Sequence, residues 1–263
     1  MKLALTIAGS DSGGGAGIQA DIKTFSAHGV FGMSVITSVT AQNTRGVIGI
    51  EDISPEMVSL QIQAVFEDLY PDAVKIGMVS SGGIIDAIAD GLKKYGPRKV
   101  VLDPVMISKG GSYLLKPEAM NALKDKLIPL SLVVTPNLME AEALTGMVIK
   151  TPEDMREAAR KIIGLGAKSV VVKGGHLTGD ALDVFYDGHK FYEITSERVN
   201  TRNTHGTGCT FSSAIAANLA LGYDLIESVK RAKDYITGAI KNSLDIGHGV
   251  GPTNHFWRWD NEN

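Results

Sequence analysis

Short apolar runs alternate with stretches of helical periodicity along the whole chain. Leu3 to Ala8 is apolar and stops at Gly9, the length and flanks of a buried strand. Ile18, Ile22 and Phe25 then recur at helical spacing, with His28-Gly29 as the stop. Ser34 to Thr40 is rich in Val, Ile and Thr, a second strand, and runs into a polar loop from Ala41 to Gly46. Ser54-Pro55-Glu56 supplies a cap, a first-turn proline and an acid at the positive dipole end, predicting a helix to about Leu69. The alternation continues. Ala73 to Gly77, Lys99 to Asp103, Leu132 to Thr135 and Ser169 to Val172 read as strands. Ile84 to Tyr95, Pro117 to Ile128, the stretch opened by Pro136-Asn137, and the stretch capped by Thr151-Pro152 read as helices. Asp183 to Tyr186 and Lys190 to Ile194 alternate around Asp187-Gly188, a β-hairpin signal. Leu225, Val229, Ala232, Ile236 and Ile240 mark the last long helix, and Trp257 and Trp259 are expected to pack on the body. Such repetition predicts a mainly parallel sheet with helices on both faces, in one domain spanning 1–263.

Two glycine-rich turns interrupt this pattern. Gly9-Ser-Asp-Ser-Gly-Gly-Gly-Ala-Gly17 joins the first strand to the first helix. It is not a Walker A loop, because Gly15 stands where lysine is required. It is not the dinucleotide fingerprint either, since Gly13 and Gly15 are followed by Ile18. A glycine loop over a small-molecule site and a plain flexible turn both remain. The second turn is Thr204-His-Gly-Thr-Gly-Cys209, feeding a run of small and apolar residues. Glycines that admit close backbone approach, followed by a helix start, make an anion site.

Composition narrows the classes. The 263 residues are 44% apolar and 21% charged, ordinary for a globular chain. A net charge of −3 without a basic block argues against nucleic acid. No apolar run reaches the ~20 residues that span a bilayer. A single cysteine, Cys209, forms no internal disulfide, which fits a reducing compartment; a cytoplasmic protein is expected.

Candidate chemistry gathers at the carboxyl ends of strands, where open α/β sheets bind ligands. Asp103 is placed for metal or phosphate chemistry, with a turn aspartate as the alternative. Asn137, Glu140 and Glu142 open a helix, where carboxylates also complement the dipole. Lys173-Gly-Gly-His176 offers a phosphate contact or a solvated turn lysine. Gln42 has the amide donor and acceptor to read a heterocycle. Ser108 to Ser112, around Lys109, reads as a mobile loop.

Taken in order, these motifs resemble the ribokinase-like superfamily, and within it the hydroxymethylpyrimidine/phosphomethylpyrimidine kinases of thiamin biosynthesis. Its marks are Leu5 to Asp21, Lys75-Ile-Gly-Met78, Val101-Leu-Asp-Pro-Val-Met106, Thr135-Pro-Asn137, Lys173-Gly-Gly-His176, Thr204 to Thr210, and Gly251-Pro252. The resemblance implies a three-layer α/β/α ribokinase-like fold. It implies that ATP with Mg²⁺ phosphorylates 4-amino-5-hydroxymethyl-2-methylpyrimidine, and then its monophosphate. By the same resemblance Gly9, Asp21, Thr40, Gln42, Met78 and Val105 hold the substrate. Asn137, Lys173, Thr204, Gly206, Thr207 and Gly208 hold ATP phosphates, Asp103 and Glu140 serve the metal, and a homodimer is expected. Many relatives carry Glu where this chain has Gln42.

The resemblance also assigns Cys209. Most sugar kinases of the superfamily have an aspartate base there. A thiol has a free pKa near ~8.5 that a helix start can lower, so Cys209 is expected to take the substrate hydroxyl's proton. The other readings are an inert packed residue, a nucleophile paired with His205, and a metal ligand. Adjacent residues at a helix start seldom face each other, and other ligands at metal spacing are missing. Three other functions stand beside this one: a pyridoxal/pyridoxine kinase of the same branch, a nicotinamide oxidoreductase and a non-catalytic binder. The missing fingerprint disfavours the oxidoreductase.

Overall fold

A computed structural model describes residues 1–107, 114–175 and 181–260. The expected loop at Ser108–Ser112 and His176 lie outside the described residues. In chain order the elements are β1 (Leu3–Asp11), α1 (Gly17–Ala27), β2 (Phe31–Asn43), β3 (Gly46–Asp52), α2 (Pro55–Asp68), β4 (Ala73–Ile76) and α3 (Gly82–Tyr95). There follow β5 (Val100–Leu102), α4 (Met120–Ala122), β6 (Val133–Val134), α5 (Leu138–Thr145), α6 (Pro152–Gly164) and β7 (Val170–Lys173). The last are β8 (Ala181–Tyr186), β9 (Phe191–Ser196), α7 (Thr207–Leu221), α8 (Leu225–Lys241) and α9 (Trp257–Asp260).

All the strands form one sheet in the order β3-β2-β1-β4-β5-β6-β7-β8-β9. The pairs from β2 to β7 are parallel, and β3, β8 and β9 add antiparallel edges. Alternation along the strands sorts the core onto two faces. Leu5, Ile7 and Ile76 pack with Ile62 of α2, Ile88 of α3 and Ile162 of α6. Ala4, Val101 and Val171 pack on the other face with Phe25 of α1 and with α7 and α8. Helices thus cover both faces, as the alternating pattern implied.

Local chemistry sets the helix ends. Ser54 Oγ accepts from Met57 N at the start of α2, and Thr151 with Asp154 forms a capping box on α6. α7 differs from the rest. Every residue from Thr210 to Ala220 is buried, and small side chains let it lie against α1, α8 and the strands. A helix buried all round loses the apolar stripe that marks the others.

Three sequence expectations need correction. Ala41 to Asn43 is strand, because β2 continues into a hairpin whose second arm, β3, is exposed at the sheet edge. Pro117 to Ile128 is a broken run of short 3₁₀, α and π turns continuing to Leu130. Trp257 packs against Tyr235, whereas Trp259 is half exposed beside Phe256.

Candidate active site

The parallel strands end on one side of the sheet, and α7 begins there. Their carboxyl ends and that helix start enclose a cavity of about 480 Å³. β1 brings Gly9 and Asp11 to it, β2 brings Thr40 and Gln42, and the turn after β4 brings Met78. Asp103 and Val105 follow β5, Asn137 and Glu140 open α5, and Lys173 ends β7. Gly206, Thr207, Gly208 and Cys209 complete the wall.

The two glycine turns interlock. Gly206 has φ 78° and ends in contact with the first loop: a Cβ there would lie 1.8 Å from Gly15 O. A Cβ at Gly15 would in turn lie 2.4 Å from His205 Cδ2. Asp11 holds the first loop from inside, accepting from the amides of Gly13 (2.8 Å), Gly15 (3.1 Å) and Ala16 (2.8 Å). Its Oδ2 also faces His205 Nε2 at 2.9 Å. Burial pushes the Asp11 carboxyl up, but His205 and the loop amides outweigh it and hold it below its usual value. These amides are therefore spent on Asp11. The first loop shapes the cavity through Gly9, Ala16 and Gly17. At Gly9 a Cβ would lie 2.8 Å from Ser38 Oγ and 3.0 Å from Met78 Sδ, so glycine keeps the floor open.

Lys173 Nζ donates to Asp103 Oδ1 at 2.9 Å, and Thr135 Oγ1 donates to the same oxygen at 3.2 Å. Asn137 and Glu140 form a capping box on α5: Glu140 N donates to Asn137 Oδ1, and Asn137 N to Glu140 Oε2. Burial raises the Glu140 carboxyl to about 7, with Lys173 opposing and Asp103 adding to the rise. Lys173 stays cationic: desolvation works against its charge, but Asp103 and Glu140 raise its pKa overall. No group of three or more His, Cys, Asp or Glu side chains suited to a metal occurs among the described residues. The metal expectation rests on the two carboxylates Asp103 and Glu140.

Cys209 is at the cavity wall, half-buried. Its thiol departs from expectation. Burial pushes it up to about 11; Lys75 pulls it down, Asp21 and Asp103 push it up, and the Gly17 amide favours the thiolate. Desolvation outweighs the helix start.

Two expected contacts do not reach the cavity. Asp21 is fully buried, paired with Lys75 at 2.8 Å and accepting from Thr6 Oγ1 and Ser213 Oγ at 2.6 Å each. A buried ammonium needs that carboxylate, so Asp21 supports the site from beneath. Thr204 shapes the turn through its carbonyl, which accepts from Thr207 Oγ1 at 2.7 Å. Sequence reasoning gave no role to Asp11 or Lys75, and weighed His205 only as a partner of Cys209. His205 instead faces Asp11 and Gln42. Asp11 offered a signal, since an Asx side chain followed by glycines commonly caps a turn.

The family model for phosphomethylpyrimidine kinase matches residues 11–254. The hydroxymethylpyrimidine/phosphomethylpyrimidine kinase of Rhizobium meliloti is 58% identical over 261 residues, 98% of this chain and 98% of that one. A crystal structure of phosphomethylpyrimidine kinase from Clostridium difficile is 54% identical, with a TM-score of 0.82 over 92% of this chain and 100% of that chain. The ADP complex of Bacillus subtilis pyridoxal kinase is 44% identical, with a TM-score of 0.91 over 97% of each chain.

Proposed function

Because the chain belongs to the phosphomethylpyrimidine kinase family, we propose that its cavity carries out two successive phosphoryl transfers from ATP. The first goes to the hydroxymethyl oxygen of 4-amino-5-hydroxymethyl-2-methylpyrimidine, and the second to the phosphate so formed. The observation that carries this reading is the meeting of Gln42, Lys173 and the Gly206–Cys209 turn around one cavity. Phosphoryl transfer asks a protein mainly for positioning and charge stabilisation. Gln42 and Thr40 read the polar edge of the ring, and Met78 and Val105 cover its apolar part. Lys173 contacts the ATP phosphates. The first-turn amides of α7, which have no acceptor within their own helix, face the charge on the transferred group.

In the first step the hydroxymethyl oxygen bonds to the γ-phosphorus, the bond to the bridging oxygen of ADP breaks, and the hydroxyl proton departs. In this reading Cys209, which lines the cavity, receives that proton. With burial holding the thiol near 11, Cys209 takes that proton only through its minor thiolate form, which Lys75 and the Gly17 amide favour. In the second step the acceptor is already ionised and needs no base. Replacing Cys209 with Ala is therefore expected to slow the first half-reaction by ~10² or more and leave the second within a few-fold. Resolving mono- from diphosphate over time checks both; an unchanged first step removes Cys209 from the role.

Asp103 and Glu140 supply the hard oxygen donors that Mg²⁺ takes, one or two carboxylates beside substrate phosphates. Bound there, the cation supplies neutralisation of phosphate charge. The chain acts as a single kinase domain. No helix among the described residues is long and apolar enough to cross a membrane. A homodimer is supported by exposed apolar side chains on the β2–β3 edge and α2, among them Val39, Ile48, Met57 and Leu60. Sedimentation at micromolar concentration tests it.

A second reading, pyridoxal phosphorylation, draws on the similarity to Bacillus subtilis pyridoxal kinase. Steady-state kinetics with both compounds decides. A higher kcat/KM for pyridoxal overturns the first reading.

A further inference from the structure

Gln42 lies between two polar neighbours. As placed, its oxygen is 3.2 Å from Thr40 Oγ1 and its nitrogen is 3.3 Å from His205 Nε2. Amide oxygen and nitrogen are interchangeable in shape, so the protons of the neighbours must assign them. Thr40 Oγ1 has one proton and gives it to Ser10 O, a pure acceptor, at 2.9 Å. What Thr40 offers Gln42 is a lone pair, which calls for the amide nitrogen. His205 Nε2 lies 2.9 Å from Asp11 Oδ2, and an ionised carboxylate only accepts. Nε2 therefore bears a proton, given first to Asp11; left without a lone pair it cannot accept from the amide nitrogen, and at 3.3 Å it faces the amide oxygen as a second, weaker acceptor of the same N–H. The two counts are independent and agree: Gln42 turns its nitrogen to Thr40 and its oxygen to His205.

We propose that His205, held by Asp11, is a positioning residue that fixes the Gln42 amide and thereby decides which way round the aminopyrimidine binds. The proposal rests on the kinase reading above. With the amide fixed, Gln42 shows the cavity a donor on the Thr40 side and an acceptor on the His205 side. The matching edge of the substrate is ring N3, an acceptor, beside the 4-amino group, a donor. N3 then lies toward Thr40 and the amino group toward His205. In this compound the 4-amino group sits between N3 and the 5-hydroxymethyl group. The hydroxymethyl is therefore directed past His205 toward the Gly206–Cys209 turn that follows it in the chain. The opposite amide would turn the ring over and carry the hydroxymethyl away from that turn. One N–H shared between Asp11 and Gln42, on a side chain that does not touch the reacting atoms, couples ring recognition to the site of transfer.

The test compares 4-amino-5-hydroxymethyl-2-methylpyrimidine with the same compound lacking the 4-amino group. Wild-type enzyme is expected to prefer the amino compound by at least ~10-fold in kcat/KM, since the Gln42 oxygen loses its partner in the analogue. In His205→Leu the amide is free to turn, and this preference should fall to within ~3-fold of unity, with most of the loss in KM for the amino compound. His205→Gln keeps an N–H toward Gln42 and should restore the preference. General damage to the site lowers both substrates by one factor, so an unchanged preference in His205→Leu overturns the proposal. A wild type that phosphorylates neither compound overturns the kinase reading, and the proposal with it. Should His205→Leu fail to fold, the wild-type complex with the amino compound decides. An amino nitrogen within hydrogen-bond distance of the Gln42 oxygen, on the His205 side, supports the proposal; a ring bound the other way round overturns it.

Discussion

Two lysine–aspartate pairs flank the start of α7, and they are built for opposite ends. Lys75 and Asp21 have no exposed side-chain surface. Lys75 Nζ donates to both carboxylate oxygens, at 2.9 and 2.8 Å, and Thr6 and Ser213 fill the remaining lone pairs. Gly77 makes room for the ammonium, since a Cβ there would lie 2.5 Å from Nζ. Lys173 and Asp103 face the cavity, with the lysine side chain 16% exposed and a single 2.9 Å contact. Ser212 Oγ lies 3.5 Å from Asp103 Oδ2, and that hydroxyl has the nearer carbonyls of Gly208 and Cys209 to donate to. The closed pair is satisfied and cannot exchange partners. The open pair keeps bonding capacity in reserve, so Lys173 can pass from Asp103 to a phosphate oxygen. Saturation, more than residue type, separates a structural ion pair from a working one.

The largest expected effect breaks the closed pair. Asp21→Ala leaves a buried ammonium uncompensated and should cost about 3–5 kcal/mol in urea unfolding. Replacing both members, Asp21→Leu with Lys75→Met, should recover most of that loss, because apolar groups of similar size substitute for a buried pair at little net cost. A single substitution costing under about 1 kcal/mol would place the pair in contact with water and erase the contrast. Lys173→Met is next and should behave in the reverse way. Stability should fall by less than in the closed pair, since Asp103, although only 2% exposed, borders the cavity and keeps Thr135 Oγ1 as a donor. Turnover with ATP should fall ~10²–10³ in kcat/KM. A destabilised enzyme with intact turnover would make Lys173 a second structural lysine.

The sheet with helices on both faces was legible because apolar runs and helical periodicity each have a distinct spacing. The hairpin arm β3 was not: its residues are exposed at an edge, and Gly46 and Gly49 interrupt an alternation that burial elsewhere enforces. At the site, Lys173, Asp103 and Gln42 were found because strand ends and chemistry coincide in the sequence. Asp21 was misplaced for a physical reason. Its partner Lys75 is 54 positions away, and only the fold reveals that the lysine is buried and in need of a counter-charge. Cys209 was located correctly, but its thiol was expected to be lowered. A helix start is visible in sequence; the desolvation that outweighs it is a property of the closed cavity wall. His205 escaped because what matters is its contact with Asp11, 194 positions away.

The smallest effect tests the charge balance of the open cluster. The closed pair has one carboxylate per ammonium, whereas Lys173 faces two, Asp103 and Glu140, and burial leaves Glu140 at about 7 against an ordinary 4.5. The folded state therefore holds a proton that the unfolded chain has already lost. Stability falls as pH rises from about 4.5 to about 7, and the cost is complete above that. Gln at position 140 has no such proton, and its carbonyl oxygen can still accept from Asn137 N at the start of α5. Glu140→Gln should match the wild type near the lower limit of that window. At alkaline pH it should exceed it by about 3 kcal/mol, as read from urea unfolding across the range. Removing the neighbouring charge with Asp103→Asn should lower the Glu140 pKa and shrink that gap. Parallel stability curves for Glu140→Gln and wild type would mean that Lys173 already balances both carboxylates. The open cluster would then be as saturated as the closed one, and the freedom assigned to Lys173 would have no basis.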